Sequence, residues 1–322
     1  MRECVALCTA FVIFKITRAS VYPGCDREQI NRLFDRLGPT PRLSLVFNSY
    51  GLRTYEDDLR KTVRTLTPEA LEKLFDDAGA LEMGKLSHKI CLISRDTLDD
   101  VASLPIVKPI TLHVRSKLIC QLRTLSPSEQ MFLYQRFAKT SDSGEFIGIA
   151  FEVASQSRLR YYGAVMALVP ISMVPDLPKL DTPRPPWYSC HVLQHDKHLE
   201  QRRQTAFRKK LDVKPSGIFE YSDSDRLSIK PNILYVPSLS NQAFNVFILL
   251  NGILYIFQYS IGHHHQVKPG LKDFLATCSD VPPMKNWRAL LLIPSNHTFT
   301  CPVQAPASII PLYSAVMLNG LL

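Results

Sequence analysis

The stretch FNVFILLNGILYIFQYSI, residues 244–261, decides the predicted fold because two apolar runs flank Asn251-Gly252. This dipeptide favours a two-residue type I′ turn, since both central positions of that turn need a positive φ. We therefore predict a β-hairpin in which residue 250 faces residue 253. The same register makes Asn245 face Gln258, and it places Ser260 on the sheet face of Gln258.

The polar side chains of this hairpin gather at its open end, while both of its faces are otherwise mostly apolar. Two interpretations stay open: the polar groups form a site, or they mark the point where buried strands emerge into water. A membrane-spanning helix would need about 20 mostly apolar residues, and polar residues interrupt this run. We predict a buried hairpin and no membrane span.

Composition excludes several classes of protein. The 322 residues suffice for two domains, and 46% of them are hydrophobic, which excludes a wholly disordered chain. None of the eight cysteines forms a Cys-x-x-Cys pair, which favours reduced thiols over a disulfide framework or a zinc finger. An apolar run at 4–14 resembles a short signal-peptide core, but Glu3 and Lys15 are unfavourable at its borders. We expect an intracellular protein, with the nucleus as a compatible compartment.

Capping residues and apolar periodicity divide the chain into a mainly helical part and a strand-rich part. In the first part we predict helices at 26–37, 66–81 and from Ser126-Pro127 onward, with extended segments at 86–94 and 105–115. In the second part we predict a helix over 148–162, a basic helix or arm over 198–210, and strands at 217–222, 232–238, 244–260 and 287–295. The predicted boundary separates residues 1–135 from residues 140–322.

Several long motifs of the second part carry a resemblance to a known family. They are GIAFEVAS (148–155), the stretch 232–271, PPMKNWRALLLIP (282–294) and PLYSAV (311–316). These motifs resemble Crinkler and retrotransposon hot spot proteins, in which a P-loop ATPase domain precedes a restriction-endonuclease-like PD-(D/E)xK domain. The resemblance implies an α/β fold, with a mixed sheet flanked by helices over 140–322. It also implies a smaller, truncated ATPase-derived segment over 1–135, because GPTPR (38–42) is similar to the stretch that joins the two domains.

The resemblance also implies the site residues. In the PD-(D/E)xK arrangement, a carboxylate on one strand meets a Glu-x-Lys on its antiparallel neighbour and a Glu on a preceding helix. Glu152 matches the helix Glu, and Asn245 stands where the family has its metal-binding Asp. Gln258 and Ser260 stand at the Glu and Lys positions of the general motif, although this subfamily itself often shows Gln and Thr there. Lys268 in the following loop could replace the missing Lys.

Asn245 is the departure from the family pattern that matters most. Mg²⁺ prefers anionic oxygen ligands, and of the three implied ligands Glu152, Asn245 and Gln258 only Glu152 is charged. We therefore expect weak Mg²⁺ binding and feeble or absent phosphodiester hydrolysis.

Nucleotide binding is not predicted. The stretch from Gly79 to Lys85 matches the G-x-x-x-x-G-K pattern, but Leu86 stands where the pattern needs a Ser or Thr hydroxyl for Mg²⁺. The match also follows a predicted helix, whereas a phosphate-binding loop follows a strand. We interpret Gly79 as a helix end.

A cluster of positive charge precedes the strands of the second part. It comprises Arg202, Arg203, Arg208, Lys209, Lys210 and Lys214, in a chain that carries 38 basic and 29 acidic residues. Such a run would neutralise backbone phosphates without reading bases, although a solvated helix face is an equally good interpretation. The leading hypothesis is a degenerate nuclease relative of mobile-element or effector origin that binds DNA weakly and non-specifically. The alternative is a non-enzymatic protein-interaction module on the same scaffold, with partners that the sequence does not name.

Overall fold

The computed structural model describes most of both predicted parts. The described residues are 28, 31, 34–36, 38, 49–79, 87–95, 105–139, 144–170, 191–194, 209–222, 225–238, 246–259, 270–294, 300–303, 310 and 312–317. The chain divides into two compact units, Met1–Ala150 and Phe151–Leu322.

The first unit is mainly helical. The elements that the structure describes in full are α1 (Ser49–Arg64), α2 (Pro68–Gly79), α3 (Ser87–Ile90), β1 (Cys91–Arg95), β2 (Pro105–Pro109), α4 (Leu112–Thr124) and α5 (Pro127–Phe137). Two helix starts follow from their caps: Thr67 Oγ1 accepts a hydrogen bond from the Ala70 N–H at 3.2 Å, and Ser126 forms a capping box with Glu129. The strands β1 and β2 pair in antiparallel fashion.

Two predicted extended segments of this unit are partly helical. Residues 87–90 form α3, and the strand predicted over 105–115 ends at Pro109, after which α4 begins. The reason is the cap at Thr111, whose Oγ1 accepts from the Val114 N–H at 3.1 Å. One side of this helix is buried, and it carries apolar side chains at four-residue spacing: Val114, Leu118 and Leu122.

Among its described residues, the second unit contains a mixed sheet, two α-helices and a short 3-10 helix (Met284–Asn286). The helix α6 (Gly144–Tyr161) enters it from the first unit, and α7 (Gly270–Ala276) lies between two of its strands. The strands are β3 (Ala164–Pro170), β4 (His191–Gln194), β5 (Lys209–Val213), β6 (Gly217–Tyr221), β7 (Ile233–Pro237), β8 (Val246–Leu250), β9 (Ile253–Tyr259), β10 (Trp287–Pro294), β11 (Thr300–Val303) and β12 (Leu312–Met317). Eight of them form one sheet in the order β5-β3-β12-β10-β9-β8-β7-β6, and β11 pairs with β4 separately.

The predicted hairpin is confirmed. Val246 pairs with Phe257 and Leu250 with Ile253, which is the predicted register. Asn251 and Gly252 have φ values of 50° and 76°, as a type I′ turn requires. Residues 246–259 therefore form a hairpin, and no helix among the described residues is long and apolar enough to cross a membrane.

The two faces of the sheet have different coverings. Leu254 and Ile256 of β9 belong to a buried cluster with Phe274 of α7, and we call this side of the sheet the α7 face. Alternate residues such as Tyr259 point to the opposite side, which we call the α6 face. On that side the Tyr259 ring meets the Phe151 ring of α6 edge-on, with centroids 6.3 Å apart.

The sheet curls around α6. Its first and last strands, β5 and β6, are joined by residues 214–216, which can span at most about 14 Å. Eight strands laid flat would extend roughly 34 Å across, so the sheet must bend to bring its edges together. The helix α6 lies on the inside, because Phe151 contacts β9 while Arg160 Nη1 lies 3.9 Å from Glu220 Oε1 of β6. Residues 153–157 of the helix are all buried.

Candidate functional site

Gln258 lies where the sequence predicts a site residue. It belongs to β9, is paired with Leu291 of the parallel neighbour β10, and is only 7% exposed. Alternation along β9 places its side chain on the α7 face, with that of Ile256. Asn245, the predicted partner of Gln258, lies outside the described residues.

Glu152 follows Phe151, whose ring packs on the α6 face of the sheet. It belongs to α6, and its Oε1 accepts a hydrogen bond from Gln156 Nε2 at 3.1 Å. The next residue toward the N-terminus, Phe151, contacts Tyr259, whose side chain points away from that of its neighbour Gln258. The expected approach of the Glu152 carboxylate to Gln258 stays a prediction.

A second buried polar side chain shares the row of Gln258. Leu291 pairs with Gln258 on one side and with Ser314 of β12 on the other, so all three project from the α7 face. Ser314 is 1% exposed and lies about 10 Å from Gln258 across two strand spacings. In the sequence, Ser314 is recognisable only as a lone hydroxyl within the apolar motif PLYSAV. The strands that pair with β12 were not predictable from the sequence. Both groups are neutral and supply no charge for a divalent cation.

The other implied ligands are not placed. Ser260 and Lys268 lie outside the described residues, as Asn245 does. Within the described part of the chain, no three or more His, Cys, Asp or Glu side chains are grouped as a metal site requires. Weak Mg²⁺ binding stays a prediction. In the dismissed phosphate-loop match, Gly79 is the last residue of α2, and residues 80–86 are not described.

The basic run ends in a strand. Lys209 and Lys210 begin β5, which corrects the helix or arm predicted up to residue 210. The strand forms because β5 pairs with β3, and this pairing buries Leu211 and Val213.

The Lys210 side chain is exposed on the α7 face, and Lys214 Nζ pairs with Asp212 Oδ2 at 3.0 Å. Arg202, Arg203 and Arg208 lie outside the described residues. The structure therefore describes three of the six residues of the basic run, namely Lys209 and Lys210 in the edge strand β5 and Lys214 directly after it.

Two exposed tyrosines next to this strand were missed by the sequence reasoning. Tyr161 and Tyr162, at the end of α6, are 60% and 64% exposed. The Arg160 guanidinium carbon lies 5.3 Å from the centre of the Tyr161 ring, within the range of a cation–π contact. The available signal was the basic–aromatic string RLRYY ahead of Gly163, which ends the helix with a φ of 65°.

Comparisons with known proteins assign no role to any of these residues. No family model, curated protein or solved structure matches the chain. The resemblance to Crinkler and retrotransposon hot spot proteins therefore stays a prediction from the motifs.

Proposed function

We propose that this chain is a catalytically inactive relative of metal-dependent DNA nucleases that binds DNA without sequence specificity. The observation that carries the proposal is Gln258, a neutral and nearly buried side chain at the position where the nuclease arrangement needs a carboxylate. Support for the scaffold comes from the antiparallel pair β8–β9, since that arrangement uses two antiparallel neighbouring strands.

Metal chemistry supports inactivity. A nuclease metal ion activates water and stabilises the leaving group, so it must be held by charged oxygens where a phosphodiester can reach it. Gln258 is neutral and Asn245 is its amide counterpart in sequence, so Glu152 is the one charged group of the three. The three groups together offer one negative charge.

Charge supports DNA binding. The chain has a formal net charge of +9, and the basic run continues into the exposed edge strand β5. Lysine and arginine side chains that contact phosphates release counterions, which gives affinity without sequence preference. The predicted binding is consequently weak and strongly dependent on salt.

The test of inactivity is cleavage of supercoiled plasmid in Mg²⁺ or Mn²⁺. We expect no cleavage by the natural chain. Metal-dependent cleavage that is abolished by Glu152→Ala would contradict the proposal. The double variant Asn245→Asp, Gln258→Glu should bind Mn²⁺ more tightly in calorimetry than the natural chain does, because carboxylates replace two amides. Asn286→Asp, which adds a carboxylate elsewhere in the unit, is the matched control and should leave Mn²⁺ binding unchanged.

The test of DNA binding is a salt titration by fluorescence anisotropy. If all six basic residues of the run contact phosphates, the slope of log K against log salt should be about −5. Replacing Arg202, Arg203, Arg208, Lys209, Lys210 and Lys214 by Ala should remove most of the binding and most of the slope. Replacing the exposed Lys230 and Lys285 by Ala is the control, and an equal loss there would place the footprint elsewhere.

A protein-interaction module is the second candidate, and one observation favours it. The strand β6 is paired on one side within the described sheet, and it carries Phe219, which is 47% exposed. Such an edge can accept an added strand from a partner. Partner binding that is lost in Phe219→Lys but retained when the basic run is replaced would favour this candidate over DNA binding.

A further inference from the structure

We propose that the rim of the sheet where α6 ends binds single-stranded DNA, with its bases stacked on Tyr161 and Tyr162 and its phosphates held by nearby basic side chains. We call this rim the tyrosine surface and define it by Arg160, Tyr161, Tyr162, Lys210 and Lys214. The inference rests on the proposed DNA binding and adds the form of DNA and the side chains that touch it.

The two rings are presented to solvent by the way the helix ends. The Tyr162 N–H donates to the Arg158 carbonyl at 3.0 Å, which continues the helical turn through both tyrosines. The chain then reverses at Gly163, where an added Cβ would lie 2.5 Å from the Val213 carbonyl oxygen. This close approach holds the helix end against β5, so the exposed rings stand beside the basic strand.

The surface continues along the sheet from this point. Ala167 pairs with Lys210 and Val165 pairs with Asp212, so these four residues share the α7 face. Val165 is 64% exposed and Ala167 is exposed as well, so this part of the face is uncovered. The strip from residue 210 to residue 214 is about 13 Å long, enough for a short length of a single strand.

Charge and ring chemistry fit the same ligand. Arg160, Lys210 and Lys214 are basic, and the acids beside them, Glu220 and Asp212, are engaged in exposed ion pairs. Phosphates can displace such exposed pairs at little cost, because these pairs contribute little stability. Aromatic rings stack on any base, and only unpaired bases leave their faces open, which favours single strands over duplexes.

The experiment is fluorescence anisotropy on the full chain with a labelled thymine oligonucleotide, a duplex of the same length and an RNA of matched sequence. Tyr161→Ala with Tyr162→Ala should weaken single-strand binding about tenfold or more, because each lost stack is substantial. Duplex binding should change less than about twofold, since phosphate contacts dominate there. Tyr161→Phe with Tyr162→Phe keeps both rings and should retain single-strand binding. Lys210→Ala with Lys214→Ala should weaken both DNA forms.

The outcomes separate this inference from the proposed function. If the duplex still binds and the tyrosine-to-alanine change leaves single-strand binding intact, the inference is wrong and the proposed function stands. If the natural chain binds neither form of DNA, both are wrong. Tighter binding of the RNA than of the DNA would overturn the assignment to DNA.

A second measurement does not depend on folded variants. Oligonucleotides carrying 5-iodouracil, irradiated with the natural chain, should cross-link to the peptide that contains Tyr161 and Tyr162. Cross-links confined to other peptides would overturn the inference.

Discussion

The hairpin at the centre of the sheet and the β3–β5 pair at its edge bury their side chains differently. Every residue of β8 is buried, because α7 and its cluster cover one face of the sheet and the curled interior encloses the other. In β3 the side chains of Met166 and Leu168 are buried, whereas those of Val165 and Ala167 are exposed. Two-sided burial makes the centre a source of stability, and one-sided burial leaves the edge a surface for contacts.

The largest expected effect that tests this comparison is at Phe247 in the centre. Its ring is fully buried and stacks on Tyr235 at a centroid distance of 4.9 Å. Phe247→Ala should lower the free energy of unfolding by about 3–5 kcal/mol in urea denaturation. Val165→Ala, at the edge, should change it by less than about 0.5 kcal/mol. Equal costs at the two positions would break the distinction between centre and edge.

Two glycines with positive φ give the next effect. Gly252 in the central turn has φ of 76° and open space around its missing Cβ, whereas Gly163 has φ of 65° and faces the Val213 carbonyl oxygen at 2.5 Å. Gly252→Ala should cost about 1 kcal/mol for the backbone conformation alone. Gly163→Ala should cost at least about 2 kcal/mol because a steric clash is added. The stability of both variants is measured by thermal denaturation. A smaller loss of stability in Gly163→Ala than in Gly252→Ala would contradict the close packing at the edge.

A smaller effect concerns Tyr221, which belongs to the buried cluster on the α7 face. Burial, with a further contribution from the Cys278 thiol, raises the pKa of the Tyr221 phenol. Its folded pKa thus exceeds its unfolded value of about 10, so the associated stability is complete below that pH and is lost as the pH rises above it. We expect a loss of about 1 kcal/mol over the first pH unit above about 10, measured by urea unfolding.

The controls for this loss are Tyr221→Phe, which should reduce it, and Tyr162→Phe, which should not. A pH dependence that is unchanged in Tyr221→Phe would assign the loss to other groups.

The smallest effect is at the ion pair of the edge. Lys214 Nζ and Asp212 Oδ2 lie 3.0 Å apart, and both side chains are exposed. Such pairs are weak in water, so Lys214→Ala should shift the free energy of unfolding by only a few tenths of a kcal/mol. A double-mutant cycle with Asp212→Ala measures the coupling, and a value above about 1 kcal/mol would mean that the edge is less solvated than its exposure indicates.

The central hairpin was predictable because its signal is local. Asn251-Gly252 determines the turn, the turn determines the register, and the apolar runs on both sides predict burial. The starts of α2 and α5 were predictable in the same way, from the local capping residues Thr67 and Ser126. The helix α4 was missed because its strand-like composition outweighed the cap at Thr111.

The candidate site was only partly predictable for a related reason. The register predicted the buried position of Gln258, but the face on which α6 packs depends on contacts between distant segments, such as Phe151 with Tyr259. The uncovered face at β3 depends on its pairing with β5 and β12, which no local pattern encodes. Sequence alone therefore gave the position of a polar side chain and missed which side chains surround it.

The enclosure of α6 has a consequence for how this unit folds. The helix precedes every strand of the sheet along the chain, yet it lies inside them, and β3 meets β12 through Val169 and Ser314, which are far apart in sequence. Such long-range pairing closes large loops and slows folding to the range of milliseconds to seconds. During that time the inner face is unfilled and strand edges are unpaired, so nascent chains should need protection from association until the short connection 214–216 brings the two edges together.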